Sequence, residues 1–145
     1  ALGRFATGVT VVAAKAPEGG LVGVTINSFS SVSLDPPLVL WSLDRQSPSL
    51  PPFESVSHYC ISVLTADQLD LCHRFASPDL ADAGTDMEIG ANGAPRLRGC
   101  LAWYACRNRA RHDGGDHVIF IGEVEEFGYR EGRPLVFFSG RFGSL

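Results

Sequence analysis

Seven short runs rich in β-branched and aromatic residues recur along this 145-residue chain, at 9–14, 21–25, 38–43, 59–64, 101–106, 118–124 and 135–138. Clusters of Gly, Pro and Asp separate them, such as Pro17-Glu18-Gly19-Gly20, and such clusters turn a chain back on itself. Helical patterns are few. Pro51-Pro52 opens a segment over 49–57 with Phe53 and Val56 at helical spacing. Thr65 and Gln68 form a capping-box pattern ahead of a short helix through Leu69, Cys72, His73, Phe75 and Ala76. Phe5 and the residues before it predict the end of a further helix. Residues 77–94 are polar, Gly- and Asp-rich and without periodicity, which predicts a mobile loop or lid. The pattern predicts a single mainly β domain over 1–145, a barrel or sandwich rather than a parallel sheet.

Composition narrows the function classes. A net charge of −4 disfavours a general nucleic-acid or anionic-membrane role, and no apolar run approaches a membrane span. Any anionic ligand must therefore be met by local donors. Cys60, Cys72, Cys100 and Cys106 show no C-x-x-C spacing. They read as buried thiols of a cytoplasmic protein, with a disulfide pair as the alternative.

The candidate chemistry begins at 24–33, where six hydroxyl or amide side chains fall within ten residues, directly before Leu34-Asp35-Pro36-Pro37. Phe29 and Val32 interrupt the polar groups, so part of the segment is expected to be buried and its hydroxyls to need partners. On a strand, Thr25, Asn27 and Phe29 would share one face, Ile26 and Ser28 the other. The segment suits a phosphate or a polar heterocycle; it also suits an edge strand ending in a Ser/Thr turn. Ser42, Arg45, Ser47 and Ser49 offer a phosphate site or a solvated turn, and Arg74 a phosphate clamp or a plain surface charge. His112-Asp113-Gly114-Gly115-Asp116-His117 invites a metal reading, but a hairpin turn explains the same residues. His117, at a strand start, is either a hydrogen-bonding group in a cleft or a structural histidine. A G-x-S-x-G elbow, a G-x-G-x-x-G fingerprint and a P-loop are all absent from the sequence.

Taken in order, these stretches resemble the short-chain flavin reductase family. The resemblance runs from Phe5-Ala6-Thr7-Gly8-Val9-Thr10 through the T-x-x-S-F-x-S-V-S-x-x-P-P block that starts at Thr25. It continues through Ile61-Ser62-Val63-Leu64 with Gln68, Arg74-Phe75-Ala76, Gly115-Asp116-His117, Ile121-Gly122-Glu123-Val124 and Pro134-Leu135-Val136-Phe137-Phe138. It implies a homodimeric Greek-key split β-barrel with a few short helices and FMN, or FAD, at the subunit interface. Thr25, Ile26, Asn27, Ser28 and Ser31 would follow the flavin ring and ribityl chain. Ser42, Leu43, Asp44, Arg45 and Ser47, with Arg74, Phe75 and Ala76, would lie toward the phosphate. Asp116 and His117 would face the nicotinamide of NADH or NADPH. The implied activity is hydride transfer to flavin, which a partner flavin-dependent monooxygenase then receives. Orientation rather than a nucleophile or general base would be the protein's share. Residues 80–87 depart from the Phe or Trp of many relatives after R-F-A, and Ile26-Asn27 stands where Ala and Ser are common. Within the superfamily the alternatives are an oxidase, a haem-associated protein or a non-catalytic flavin carrier.

Overall fold

The computed structural model describes residues 1–77 and 86–145. Strands β1 (Thr7–Gly8), β2 (Thr10–Lys15), β3 (Leu21–Ile26), β4 (Ser30–Leu34) and β5 (Pro37–Asp44) precede helix α1 (Leu50–Ser55). Then come β6 (His58–Val63), α2 (Leu69–Ala76), β7 (Met87–Ile89), β8 (Pro95–Leu97), β9 (Ala102–Gly114) and β10 (His117–Tyr129). The chain ends in β11 (Leu135–Phe138) and β12 (Arg141–Ser144). A 3₁₀ turn at Leu2–Arg4 stands where the N-terminal helix end is expected. The Thr65 capping box forms as predicted, with the Gln68 carboxamide accepting from Thr65 N–H at 3.1 Å.

The main sheet has seven antiparallel strands in the order β3-β2-β6-β9-β10-β5-β4. Its two edge strands are consecutive in the chain and joined by residues 27–29 alone. In a flat sheet they would stand about 29 Å apart at the usual strand spacing. The link spans at most about 14 Å. The sheet therefore curls until its edges meet. They share no ladder there, so the ring expected from the sequence is left open along one seam.

Curling buries one face on itself. Inside, Trp41 stacks on Phe120 with centroids 4.4 Å apart and meets Phe53 and Tyr59 edge-on. Val12, Val39, Leu43, Ile61 and Val118 complete this core. Burial of each such side chain contributes about 1.5–3 kcal/mol. Outside, Val9, Val11, Leu64, Leu97 and Leu135 pack with Cys72 and Phe75 of α2. Strand β2 is buried on both faces, hence its unbroken apolar run. A Cβ at Gly23 would lie 2.7 Å from Cδ1 of Phe75, so the missing side chain is what lets α2 dock on β3.

Two departures from expectation have local causes. Strand β9 continues past Cys106 to Gly114 although Arg107, Arg109 and Arg111 look like loop residues. They decorate an exposed stretch of hairpin, and Arg107 and Arg109 both bond Glu123 across it, each at 3.0 Å. Within the expected loop at 77–94, Met87–Ile89 pairs with Pro95–Leu97, and Met87 is buried. The rest of that expectation, 78–85, lies outside the described residues.

The seam makes one prediction. Ser28 Oγ accepts from Ser42 N–H at 2.9 Å and donates to Ser42 O at 3.3 Å, replacing the missing ladder between the 27–29 link and β5. Ser28→Ala strands that N–H, so urea unfolding should show a loss of about 1–3 kcal/mol. A loss below about 0.5 kcal/mol, the size expected of a neutral surface change, would contradict the bridge.

Candidate functional site

Where β3 leaves the sheet, its polar groups are claimed one by one. Thr25 Oγ1 donates to Cys72 O at 2.8 Å, tying the strand to α2. Thr10 Oγ1 donates to Ile26 O at 3.3 Å. Ile26 and Phe29 pack against the inner core, and the Phe29 ring lies 5.2 Å from that of Tyr104. Strict alternation therefore stops at Ile26, and Phe29 does not share Thr25's face. Among the described residues, Asn27 keeps an exposed side chain with no hydrogen-bond partner.

Asn27 stands where three grooves meet. The first, of about 290 Å³, runs along Val24–Ser28 to Ser42, Leu43, Asp44, Ser47 and His117. The second, of about 140 Å³, shares Thr25, Ile26 and Asn27 and is walled by Val9, Phe137 and Phe142. The third, of about 440 Å³, lies toward Phe5, Phe29, Val63 and Tyr104. Ligand sites combine apolar walls with a few converging polar groups, and the first groove has this composition. A groove of about 320 Å³ at the far end of β2 holds Lys15, Ser57, His58 and Asn92. Ser57 Oγ there lies 2.9 Å from His58 Nδ1, and His58 Nε2 lies 3.1 Å from Glu125. Ser55 Oγ donates to Pro52 O at 3.0 Å, while Asn92 Nδ2 is buried without a partner among the described residues.

Nine of the residues singled out in the sequence thus come together in the first groove: Thr25, Ile26, Asn27, Ser28, Ser42, Leu43, Asp44, Ser47 and His117. The others stand apart from it. Ser31 is exposed on the edge strand β4. Phe75 is buried beneath Gly23 and supports the wall from behind. Arg74 pairs with Asp86, and its guanidinium lies 5.6 Å from the Phe75 ring centroid. Ala76 is the last residue of α2. Arg45 turns toward the β9–β10 hairpin and pairs with Asp113. Asp44 and Ser47 also build their own turn, accepting from Gln46 N–H and Ser49 N–H. Sequence reasoning missed Phe137 and Phe142. The signal was the short Arg141–Ser144 strand, whose Phe142 ring meets both Phe137 and His73.

His117 starts β10 directly opposite Asp44 of β5. Its Nδ1 lies 2.8 Å from Asp116 Oδ1, and this hydrogen bond holds the Asp116 carboxyl below the usual carboxylate range. With Nδ1–H donating to Asp116, Nε2 is the ring nitrogen left without a protein partner among the described residues. The four thiols are free and buried, and burial pushes Cys60 up to about 12. That leaves it essentially without thiolate at neutral pH.

Comparison with known proteins establishes the family. The sequence profile of the flavin reductase like domain matches residues 2–145. The chain belongs to that family. Across 143 residues it is 51% identical to "FMN reductase (NADH) SmoA" of Agrobacterium fabrum, covering 99% of this chain and 82% of that one. It is 39% identical to "Flavin-dependent monooxygenase, reductase subunit HsaB" of Rhodococcus jostii, covering 99% and 74%. Among solved structures, flavin reductase PheA2 in its native state superposes with a TM-score of 0.92 at 36% identity, covering 99% of this chain and 93% of that one. The mainly β architecture with a few short helices is thus the architecture of flavin reductases. No helix among the described residues is long and apolar enough to cross a membrane.

Proposed function

We propose that this chain is an NAD(P)H:flavin oxidoreductase, with NADH as the reductant and FMN, or FAD, as the acceptor, that supplies reduced flavin to a partner flavin-dependent monooxygenase. The observation that carries the reading is the groove at the β3 end, in which the nine residues named above converge and Asn27 alone keeps an unused amide. The relatives named as an NADH-dependent FMN reductase and as a monooxygenase reductase subunit point the same way.

The groove fits a flavin in chemistry and extent. About 290 Å³ is close to the smallest sites that take small organic ligands. Its continuity with the aromatic-walled groove through Thr25, Ile26 and Asn27 gives further length. Bound flavin supplies the hydride acceptor; the chain's own residues bind and orient. Asn27 would offer its amide to the polar edge of a bound ring system, and Ile26 and Val24 would supply apolar contact. Ser42 and Ser47 would serve the ribityl and phosphate end, while Ser31, Arg74 and Ala76 stand apart from this groove. His117 Nε2 accepts from the nicotinamide carboxamide, and Asp116 holds the imidazole in that tautomer. Holding donor and acceptor face to face is the catalytic contribution.

Residues 1–145 act as one split-barrel unit, and two copies assemble. Phe5 is 79% exposed, Phe127 63% and Tyr129 80%, and Phe127 stands opposite Tyr104 of the third groove. A second copy of this chain would cover that aromatic face. Sedimentation velocity should give a dimer that Phe127→Arg dissociates; a monomeric parent protein would refute the assembly. The four buried thiols fit a reducing cytoplasm.

The activity test is anaerobic addition of NADH to flavin-loaded protein. The flavin's visible absorption band should bleach rapidly, and reduced flavin should pass to a monooxygenase added afterwards. An unchanged spectrum would point to a carrier without turnover. Variants divide the site: His117→Ala should raise the KM for NADH about tenfold with little change in flavin affinity, and Asn27→Ala should do the reverse. Equal losses in both would contradict the assignment.

A further inference from the structure

Arg45 lies between the groove and the β9–β10 hairpin, and its main-chain N–H, Nε and Nη2 are turned to the hairpin while Nη1 has no partner among the described residues. Its main-chain N–H donates to Asp116 O at 2.9 Å, its Nε donates to Gly115 O at 2.7 Å, and Nη2 pairs with the Asp113 carboxylate. Asp113 Oδ1 also accepts from Gly115 N–H at 3.3 Å. One side of the planar guanidinium therefore spans a carbonyl and a carboxylate at once, a geometry Lys cannot copy.

The ladders fix the main chain of His117 opposite Gly114 and Asp44 and leave the tip at 115–116 outside them. Gly115 adopts φ +76°, and a Cβ at Gly114 would stand 2.9 Å from Ile119 Cγ1. Two glycines in succession leave the backbone the freest of any pair. Yet the residue that follows the turn is His117, whose imidazole lines the groove. Asp113 is 80% exposed, so packing alone does not hold the tip in place.

We propose that Arg45 and Asp113 form a clamp that positions His117 for the nicotinamide, and that Arg45 is not a ligand of the flavin phosphate. The proposal rests on the reading of His117 given above. Arg45 is a positioning residue: it acts on the reductant through the turn and leaves the flavin to the hydroxyl-lined wall. It also replaces the phosphate role that the sequence resemblance implies for Arg45.

Two variants, Arg45→Met and Asp113→Asn, test it in the full-length protein. Both should raise the KM for NADH about tenfold while changing the affinities for FMN and for riboflavin by less than about twofold, read from flavin fluorescence quenching. Both should shift the ¹H–¹⁵N imidazole signals of His117, assigned by their loss in His117→Ala. In a His117→Ala background neither should raise the KM further, because the clamp then has nothing to position. Selective loss of FMN but not riboflavin affinity in Arg45→Met would make Arg45 a phosphate ligand and overturn the proposal. Full additivity with His117→Ala would overturn it as well. A silent His117→Ala would sink the nicotinamide reading and the clamp's role with it. An active His117 beside a silent Arg45→Met would sink the clamp alone.

Discussion

The link between β3 and β4 is too short for a flat sheet. Three residues must carry the chain from one edge of a seven-stranded order to the other. The curl, the aromatic interior around Trp41 and the open seam all follow from that geometry. At the seam no ladder is possible, and main-chain groups must find other partners. Ser28 meets the need at Ser42 with two hydrogen bonds. That pair extends the β4–β5 register beyond Ser30 and does not cross from β3 to β4, so the gap between those edges stays open.

The gap is where the site forms. Thr25 is drawn toward α2 by Cys72 O, Ile26 and Phe29 turn inward, and the Ser28 hydroxyl is spent on Ser42. Asn27 is what remains, exposed between three grooves. Charge is handled differently. Arg45 and Arg74 are each paired with an aspartate, and Asp44 lies in the groove itself. On the proposed reading, flavin recognition at this wall would fall to hydroxyls, amides and main chain. Such groups orient a neutral ring without the strong salt dependence of an exposed ion pair.

Most of the strand framework was legible in the sequence because buried strands carry short runs rich in β-branched, aromatic and small apolar residues, as in β2 and β6. The capping box at Thr65 was legible for a similar reason, since two side chains at fixed spacing meet a local geometric need. The far half of β9 was not, because hairpin residues beyond the core have no burial to mark them. The groove residues at 25–28 and 42–47 were readable as polar groups crowded at strand ends. The pairing of Arg45 with the hairpin was not readable. Composition shows a cation beside serines, whereas its direction depends on a hairpin tip some seventy residues later in the chain. Phe137 and Phe142 escaped for the same reason, as their meeting with Thr25 and Asn27 is long-range.

Amide hydrogen exchange with and without FMN addresses the seam most directly. If flavin binds where the ladder is missing, saturating FMN should slow exchange in peptides covering 24–28 and 42–47 and leave those covering 55–58 and 92–94 unchanged. Protection centred instead on the Lys15–His58 groove, with the β3 end unaffected, would show that the open seam is only a structural accident of the curl.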